Sequence, residues 1–497
     1  MNALTLSLDP KISPLYLRIA DAFRQAVKSG NLVVGESLPS SRRLANELNT
    51  NRHTVMAALQ ELVAQGWVES LERKGYRVAT TLPIDESHRV SERTAQAPQA
   101  FQWSIPPNIA ALKPELPAHE HEFNFAGGMP DISLFPFDEL KSYIRDTLSR
   151  PDIRDLNYGS HQGNRSFIQQ AEIYLRRVRG VTDKELLVVN GSQEALFLVA
   201  QVLLNPGDKV AVEALGYRPA WDAFRTTGAE LVGIQQHEKG IDVDHLERLF
   251  ATEPVKLIYL TPLHQYPTTI TLPIHERMAI YRLAAKHNVA IIEDDYDHEF
   301  HYDSQPLTPM AADDPHGLVI YLSTFSKILF PGCRIGLMAV DKTLMPYLLN
   351  FRRLMNHKPN FLLQDALGRW MKEGGFERHL RKTTRRYHQR RDHLVSLISQ
   401  LKQRGLPIDC QVPSGGMALW LDIKQGARSL QDYCRKRDIY LVAEQQFHLM
   451  PEHNQDRFIR LGYAGMTEER LSLGLASIAR FWPTPAWKPK SSAGELQ

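Results

Sequence analysis

The chain has 497 residues, 43% hydrophobic and 23% charged, a balance that excludes disordered, collagen-like and low-complexity proteins. At ~150 residues per domain, the length suggests about three domains or lobes. Lys and Arg number 59 against 56 Asp and Glu, so the overall charge says little and its distribution along the chain says more.

The first residues, MNALTLSLDPKISP, lack the basic start, continuous apolar core and small-residue cleavage site expected of a secretory signal. From 10 to 79, ten Lys or Arg stand against six Asp or Glu. That mild excess suggests a polyanion-binding module, with an ordinary solvated surface as the plainer reading. Leu15, Ile19, Ala22, Ala26 and Val27 share one helical face, and Gly30 stops that helix as a C′ glycine does. In SLPSSRRLANEL, Ser40 or Ser41 can cap a short helix burying Leu44, Ala45 and Leu48. After the polar turn Asn49-Thr50-Asn51, a third helix starts at Arg52. Val55, Leu59, Leu62 and Val63 point inward on it, and Arg52, His53, Thr54 and Met56 outward. Gly66 ends it, and 67–79 read as a hairpin with the basic tip Arg73-Lys74-Gly75.

Two short helices joined by a tight turn, the second starting with polar side chains, suit the major groove. A protein-docking module with the same elements is the competitor. The order and spacing, from LPSSRRLA (38–45) to the wing glycine Gly75, resemble the GntR-type winged helix-turn-helix over nearly all of 10–79. The resemblance implies DNA contacts at Arg42, Arg52, Thr54, Lys74 and Gly75. Met56 departs from the pattern, standing where many relatives carry arginine.

Residues 80–122, rich in Pro, Ser, Thr, Ala and charge, read as an extended linker. Phe101 and Trp103 are too apolar for a free tether, so part of it is expected to dock on a neighbour. From 123 to 482, short apolar runs (186–189, 209–213, 256–260, 289–293, 318–322) alternate with helical patterns such as 193–204 and 274–287. Runs apolar on both faces suit buried parallel strands. This predicts a doubly wound α/β domain with ligands at the carboxyl ends of its strands. The longest apolar stretch, 196–204, is broken by Gln201 and falls short of the ~18 residues of a spanning helix. Three widely spaced cysteines, Cys333, Cys410 and Cys434, with no CxxC, support neither a disulfide framework nor a metal site, and a cytoplasmic location fits. With 483–497 as a frayed tail, the expected division is 1–79, 80–122, 123–482 and 483–497.

Four stretches of the large zone carry chemistry. VVNGSQEA (188–195) is a strand, a small-residue turn and a helix start, whose free amides favour a phosphate, although any capped βα turn looks alike. IIEDDY (291–296) puts carboxylates at the end of an apolar strand, where a pyridinium nitrogen, a metal or an arginine would have to meet them. YLSTFSK (321–327) places Lys327 among hydroxyls, where partial burial can make it a Schiff-base nucleophile; most lysines are merely solvated. Arg334 follows in PGCRIG as a second candidate phosphate ligand. FIRLGY (458–463) sets Arg460 in an apolar run, a fork suited to a carboxylate or to a structural ion pair.

In combination, the order phosphate turn, Tyr217, Asp294, Lys327, Arg334 and Arg460 resembles the fold-type I aminotransferases across 123–482. That resemblance implies pyridoxal 5'-phosphate as cofactor, joined to Lys327 as an internal aldimine. Asp294 would then meet the pyridine nitrogen, Tyr296 the ring hydroxyl and Tyr217 the ring face. Gly191, Ser192, Gln193, Thr324, Ser326 and Arg334 would gather round the phosphate, and Arg460 would hold an amino compound's carboxylate. Tyr158, in YGSHQG, resembles the tyrosine that reaches the phosphate of a neighbouring subunit. Two departures stand in HQYPTT (264–269): Tyr266 replaces the common asparagine, and Thr269 the usual glycine. A pocket altered this way is expected to keep the cofactor yet turn over poorly.

A winged helix-turn-helix, a long linker and an aminotransferase-like domain, in that order, resemble the MocR/GabR subfamily of bacterial transcription regulators from end to end. The resemblance implies a homodimer swapped head to tail, double-stranded operator DNA as partner, and control by an amino compound or by pyridoxal phosphate itself. A catalytically active aminotransferase with an accessory N-terminal domain is the alternative. A DNA-binding protein with an inert large domain is a third reading.

Overall fold

The computed structural model describes residues 8–71, 75–83, 102–112, 121–149, 157, 159–303, 307–357, 360–450 and 455–482. The chain divides into two compact units, Met1–Ser104 and Ile105–Gln497.

In the first unit, helix Leu15–Lys28 buries Ile19, Ala22, Phe23, Ala26 and Val27, while Leu15 in its first turn stays exposed. Gly30, in the left-handed region at φ +77°, donates to Val27 O at 3.1 Å and turns the chain away. The Ser40 hydroxyl accepts from Arg43 N and caps helix Ser41–Glu47. The Asn51 carboxamide accepts from both the amide and the hydroxyl of Thr54, capping helix Arg52–Ala64. Val55, Ala58, Leu59 and Leu62 form the buried stripe of that helix. Val63, expected inside, is 36% exposed; the extra roughly 100° of turn beyond Leu62 carries it off the stripe that Ala58 completes. Strands Val68–Leu71 and Gly75–Val78 pair antiparallel, Val68 opposite Val78. The wing tip, with Lys74, lies outside the described residues.

The second unit is built on a seven-stranded sheet. Its order is Glu185–Val189, Gly336–Val340, Val319–Thr324, Ala290–Asp295, Val255–Leu260, Lys209–Glu213, Glu230–Ile234. The last five strands pair parallel, whereas Gly336–Val340 runs antiparallel to both neighbours. The expectation of parallel pairing therefore fails for the 186–189 run. The chain returns from Thr324 to Gly336 through a short turn rather than a crossover helix, and such a return can only reverse direction. Each strand feeds two cores at once. Val188, Ile258 and Ile291 face one apolar cluster with Phe167, Ile280 and Trp370. Leu187, Leu257 and Ile292 face the other, with Leu196, Val199 and Trp221. Covering both faces is what makes the runs continuously apolar.

A smaller antiparallel sheet, ordered Asp409–Cys410, Ala418–Asp422, Phe458–Gly462, Val442–Ala443, has its own core around Leu419, Leu421, Ile459 and Leu461. The 29-residue helix Gly375–Gln403 joins the two lobes, with Phe376 in one core and Leu394 in the other. Before the large sheet, Pro107–Ala110 forms a helical turn, and Asn108 Nδ2 donates to Thr226 O at 2.9 Å. Trp103 is 79% exposed, and Phe101 lies outside the described residues. Among the described residues no helix is long and apolar enough to cross a membrane.

Candidate functional site

The carboxyl ends of the parallel strands open onto a cavity of about 210 Å³, where side chains far apart in sequence converge. Ser192, Gln193, Tyr217, Asp294, Tyr296, Thr324, Ser326, Lys327, Arg334 and Arg460 all line it. Gly191 lies just behind, at the start of helix Ser192–Leu203. Tyr158 lies outside the described residues. Gly127, Gly128, Tyr259, Thr261, Tyr266 and Pro331 complete the lining. Of these, Tyr266 carried a sequence signal as a departure from pattern, and the Gly127-Gly128 pair offered one, since paired glycines mark close backbone approach.

Strand alternation gives the three acids of the EDDY run three different surroundings. Glu293 accepts from the amides of Met310 and Ala311, both at 2.9 Å, and burial pushes its carboxyl up to about 7. Asp295 points into a buried network, accepting from Tyr321 Oη at 2.5 Å beside His298 Nδ1 at 2.8 Å. Burial alone would raise Asp295, but His298 and Arg179 outweigh it and hold the carboxyl well below the usual range. Asp294 alone faces the cavity. Its Oδ2 accepts from Tyr259 Oη at 2.9 Å, while its Oδ1 is buried without a partner. Burial and the neighbouring Asp295 charge push Asp294 up to about 7, against the pull of the Tyr259 hydrogen bond. A buried carboxylate oxygen lacking a donor is costly, so a protonated nitrogen fits that place.

Lys327 is half-buried beyond strand Val319–Thr324. Burial, with the Arg460 charge next, lowers its amine to about 8. At one end of the cavity Gly191 (φ +87°) leaves helix Ser192–Leu203 without a side-chain cap. A Cβ at that position would stand 2.9 Å from Arg334 Nη2, so glycine makes room for the guanidinium. Arg334 Nη2 donates to Asn190 O at 2.6 Å, which holds the cation at this turn. The Thr324 hydroxyl accepts from Ser326 N at 3.1 Å. Uncapped amides, two hydroxyls and an arginine suit a phosphate.

From the smaller sheet, strand Phe458–Gly462 brings Arg460, 1% exposed. Its Nη1 reaches Ala126 O at 3.4 Å and its Nε is buried without a partner. No carboxylate among the described residues pairs with it, so a structural ion pair does not account for this arginine. The face of the Tyr266 ring lies 4.5 Å from its guanidinium carbon. Tyr296 Oη donates to His264 O at 2.9 Å, which commits its proton and leaves the oxygen free to accept. Tyr217 meets Tyr266 edge to face at 5.3 Å.

On the first unit, Arg42 and Arg52 are exposed and Thr54 half-buried at the helix start. Arg52 Nε donates to Ser41 Oγ at 3.2 Å, tying the two helices at the turn. Gly75, at φ +93°, opens the second wing strand.

Fold and site together define a winged helix-turn-helix unit fused to a fold-type I aminotransferase-like domain. Residues 15–78 match the gntR family of bacterial regulatory proteins, and residues 135–478 match aminotransferase class I and II. The probable rhizopine catabolism regulatory protein MocR of Rhizobium meliloti is 30% identical over 479 residues, 94% of this chain and 93% of that protein. The HTH-type transcriptional regulator TauR of Rhodobacter capsulatus is 26% identical over 475 residues, 93% of this chain and 95% of that protein. Among solved structures, kynurenine aminotransferase of Pyrococcus horikoshii superposes with a TM-score of 0.69 at 25% identity, covering 76% of this chain and 96% of that one. LysN of Thermus thermophilus, an α-aminoadipate aminotransferase, gives 0.66 at 26% identity, covering 72% and 91%. The chain belongs to the MocR/GabR subfamily of GntR-type transcription regulators. Its gntR domain implies DNA binding.

Proposed function

We propose that the protein is a pyridoxal 5'-phosphate-dependent transcription regulator, active as a homodimer, that senses an amino compound or the cofactor itself and alters its hold on operator DNA. The observation that carries this reading is the single cavity in which Lys327, Asp294, the uncapped helix start at Ser192 and Arg460 meet. When bound, the cofactor supplies an electrophilic aldehyde carbon that condenses with primary amines. Lys327, lowered to about 8, is deprotonated often enough near neutrality to act as the resident amine. Asp294 offers its unpartnered oxygen to a pyridinium proton, while Tyr259 steadies the other oxygen.

The turn at Gly191, with Ser192, Gln193, Thr324, Ser326 and Arg334, would hold the phosphate. Tyr217 would pack on the ring, and Tyr296 would accept from the ring hydroxyl. Arg460, without an ion pair among the described residues, is left for the effector's carboxylate. An effector that binds one arrangement of the lobes better shifts the protein toward it. The subfamily likeness supports a swapped dimer in which Tyr158 serves the neighbouring subunit. It also supports Arg42, Arg52, Thr54, Lys74 and Gly75 as DNA contacts. Tyr266 favours sensing over turnover, because it alters the cavity wall beside Tyr296, while Thr269 departs from the pattern in the turn that carries it.

The test is the absorbance spectrum of the purified protein with pyridoxal 5'-phosphate, beside Lys327→Ala. A near-visible band present only with the lysine is expected. Its absence from both proteins would overturn the cofactor assignment.

A further inference from the structure

We propose that the outer face of helix Gly375–Gln403 is a second DNA-binding surface, gripping the phosphates of duplex DNA. The inner face of this helix is fully accounted for by packing, with Phe376, His379, Thr383 and Tyr387 buried. The outer face carries Arg381, Lys382, Arg385 and Arg386, all exposed. Among the described residues no acid pairs with any of the four. Their neighbours do pair: Arg177 with Glu377 at 2.6 Å, and Arg378 with Glu139 at 3.7 Å.

Two pairs of these cations, Arg381 with Arg385 and Lys382 with Arg386, stand four residues apart, where like charges destabilise a helix. An ordinary solvated face relieves that repulsion with interleaved acids, and this one has none between Arg378 and Arg391. The basic face also runs into a concave surface. An open cleft of about 550 Å³ separates the first turns of the helix from helix Arg165–Arg179. Arg177, Lys372, Arg378 and Arg381 line it, with Glu377 as the acid among them.

Charge complementarity selects the occupant. From Arg378 to Arg386 the helix rises ~12 Å, the axial span of roughly three to four phosphates on one DNA strand. The gntR domain already brings duplex DNA to this chain, so a polyanion with repeating phosphates is at hand. Contacts of this kind carry no sequence information; they add affinity and fix orientation.

The experiment uses the full-length protein and a long labelled duplex of mixed sequence, with affinity measured by anisotropy over a range of salt concentrations. One variant is R381Q/K382Q/R385Q/R386Q. A charge-matched control, R404Q/R428Q/R435Q/K436Q, removes four exposed cations elsewhere on the same unit. Each lost phosphate contact makes the slope of log K against log salt shallower by about 0.9. The first variant is expected to lose about two to four from the slope's magnitude and at least about tenfold in affinity at low salt. The control is expected to keep the wild-type slope, and circular dichroism to report the same fold for all three. Equal slopes for wild type and the first variant would overturn the proposal and leave an acidic protein as the alternative occupant. An equal loss in the control would overturn it too, because net charge rather than this face would then be acting. The readout is independent of the cofactor, so the sensing proposal and this one fail separately.

Discussion

The guanidinium of Arg460 lies 4.5 Å from the centroid of the Tyr266 ring, so the residue that departs from the aminotransferase pattern braces the arginine proposed to meet the effector. Tyr266 also meets Tyr217, Tyr296 and Phe447 edge to face, which fixes its plane. A desolvated cation–π contact is worth up to about 2 kcal/mol. Tyr266→Ala is therefore expected to weaken effector binding by about tenfold, while Tyr266→Phe, which keeps the ring, stays within about threefold. Titration of amino compounds, followed by the spectral change of the bound cofactor, distinguishes the two. Equal losses in both variants would mean that the hydroxyl, not the ring, matters.

Lys327 gives a pH signature. Its amine is lowered to about 8, first by burial and then by the Arg460 charge. The neutral amine is the reactive form, so cofactor capture is expected to accelerate between about pH 7 and about pH 9 and then level off. Arg460→Gln removes a neighbouring positive charge and should move that midpoint upward. Stopped-flow growth of the near-visible band measures both. A midpoint above about pH 10, the ordinary lysine range, would show that the site does not perturb the amine.

Asp294 gives a stability signature of definite sign. Burial raises its carboxyl to about 7, against roughly 3.9 in an unfolded chain. A raised acid contributes stability that is fully present below about pH 4 and lost as pH climbs through about 7. Without cofactor, Asp294→Asn is expected to melt above the wild type at about pH 8, by a margin of about 4 kcal/mol at most. The gap should shrink as pH falls below about 7 and close toward about pH 4. Added cofactor should reverse the ranking, since only the carboxylate can meet a pyridinium proton and ligand binding stabilises the native state. A variant that melts lower at every pH would contradict this account of the buried carboxyl.

These signatures show where the sequence was readable and where it stopped. The apolar runs could be recognised as strands because Ile291 and Ile292 are buried in opposite cores. The direction of Gly336–Val340 could not, because no side-chain period separates a parallel strand from an antiparallel one; the short return from Thr324 decides it. Likewise EDDY announced buried carboxylates without saying which one faces a ligand. Alternation along the strand turns Asp294 to the cavity and Asp295 to Tyr321 and Arg179. Tyr259, 35 residues before its partner Asp294, and Gly127, against Arg460, reach the site through tertiary packing that leaves no local mark. Lys327, Arg334 and Arg460 each carried only a weak local signal, and it was their order along the chain, resembling the aminotransferases, that singled them out.

Thr269 is the other departure from pattern, and its backbone explains why glycine is the usual residue there. It sits at φ +64°, in the left-handed region, and is 5% exposed. For a β-branched side chain that conformation is a genuine outlier, with a strain of about 1–3 kcal/mol. Thr269→Gly removes the strain, although glycine gives the unfolded chain about 0.5–1 kcal/mol more entropy to lose. The turn keeps its hydrogen bond, since Thr269 N donates to Gln265 O at 2.7 Å through the backbone. The balance is a gain of about 1 kcal/mol. It should appear as a higher urea midpoint with an unchanged slope. The turn also carries Tyr266, so relief of strain that merely stabilises should leave the effector titration unaltered. A lower midpoint would mean that contacts of the threonine side chain outweigh the strain of its backbone.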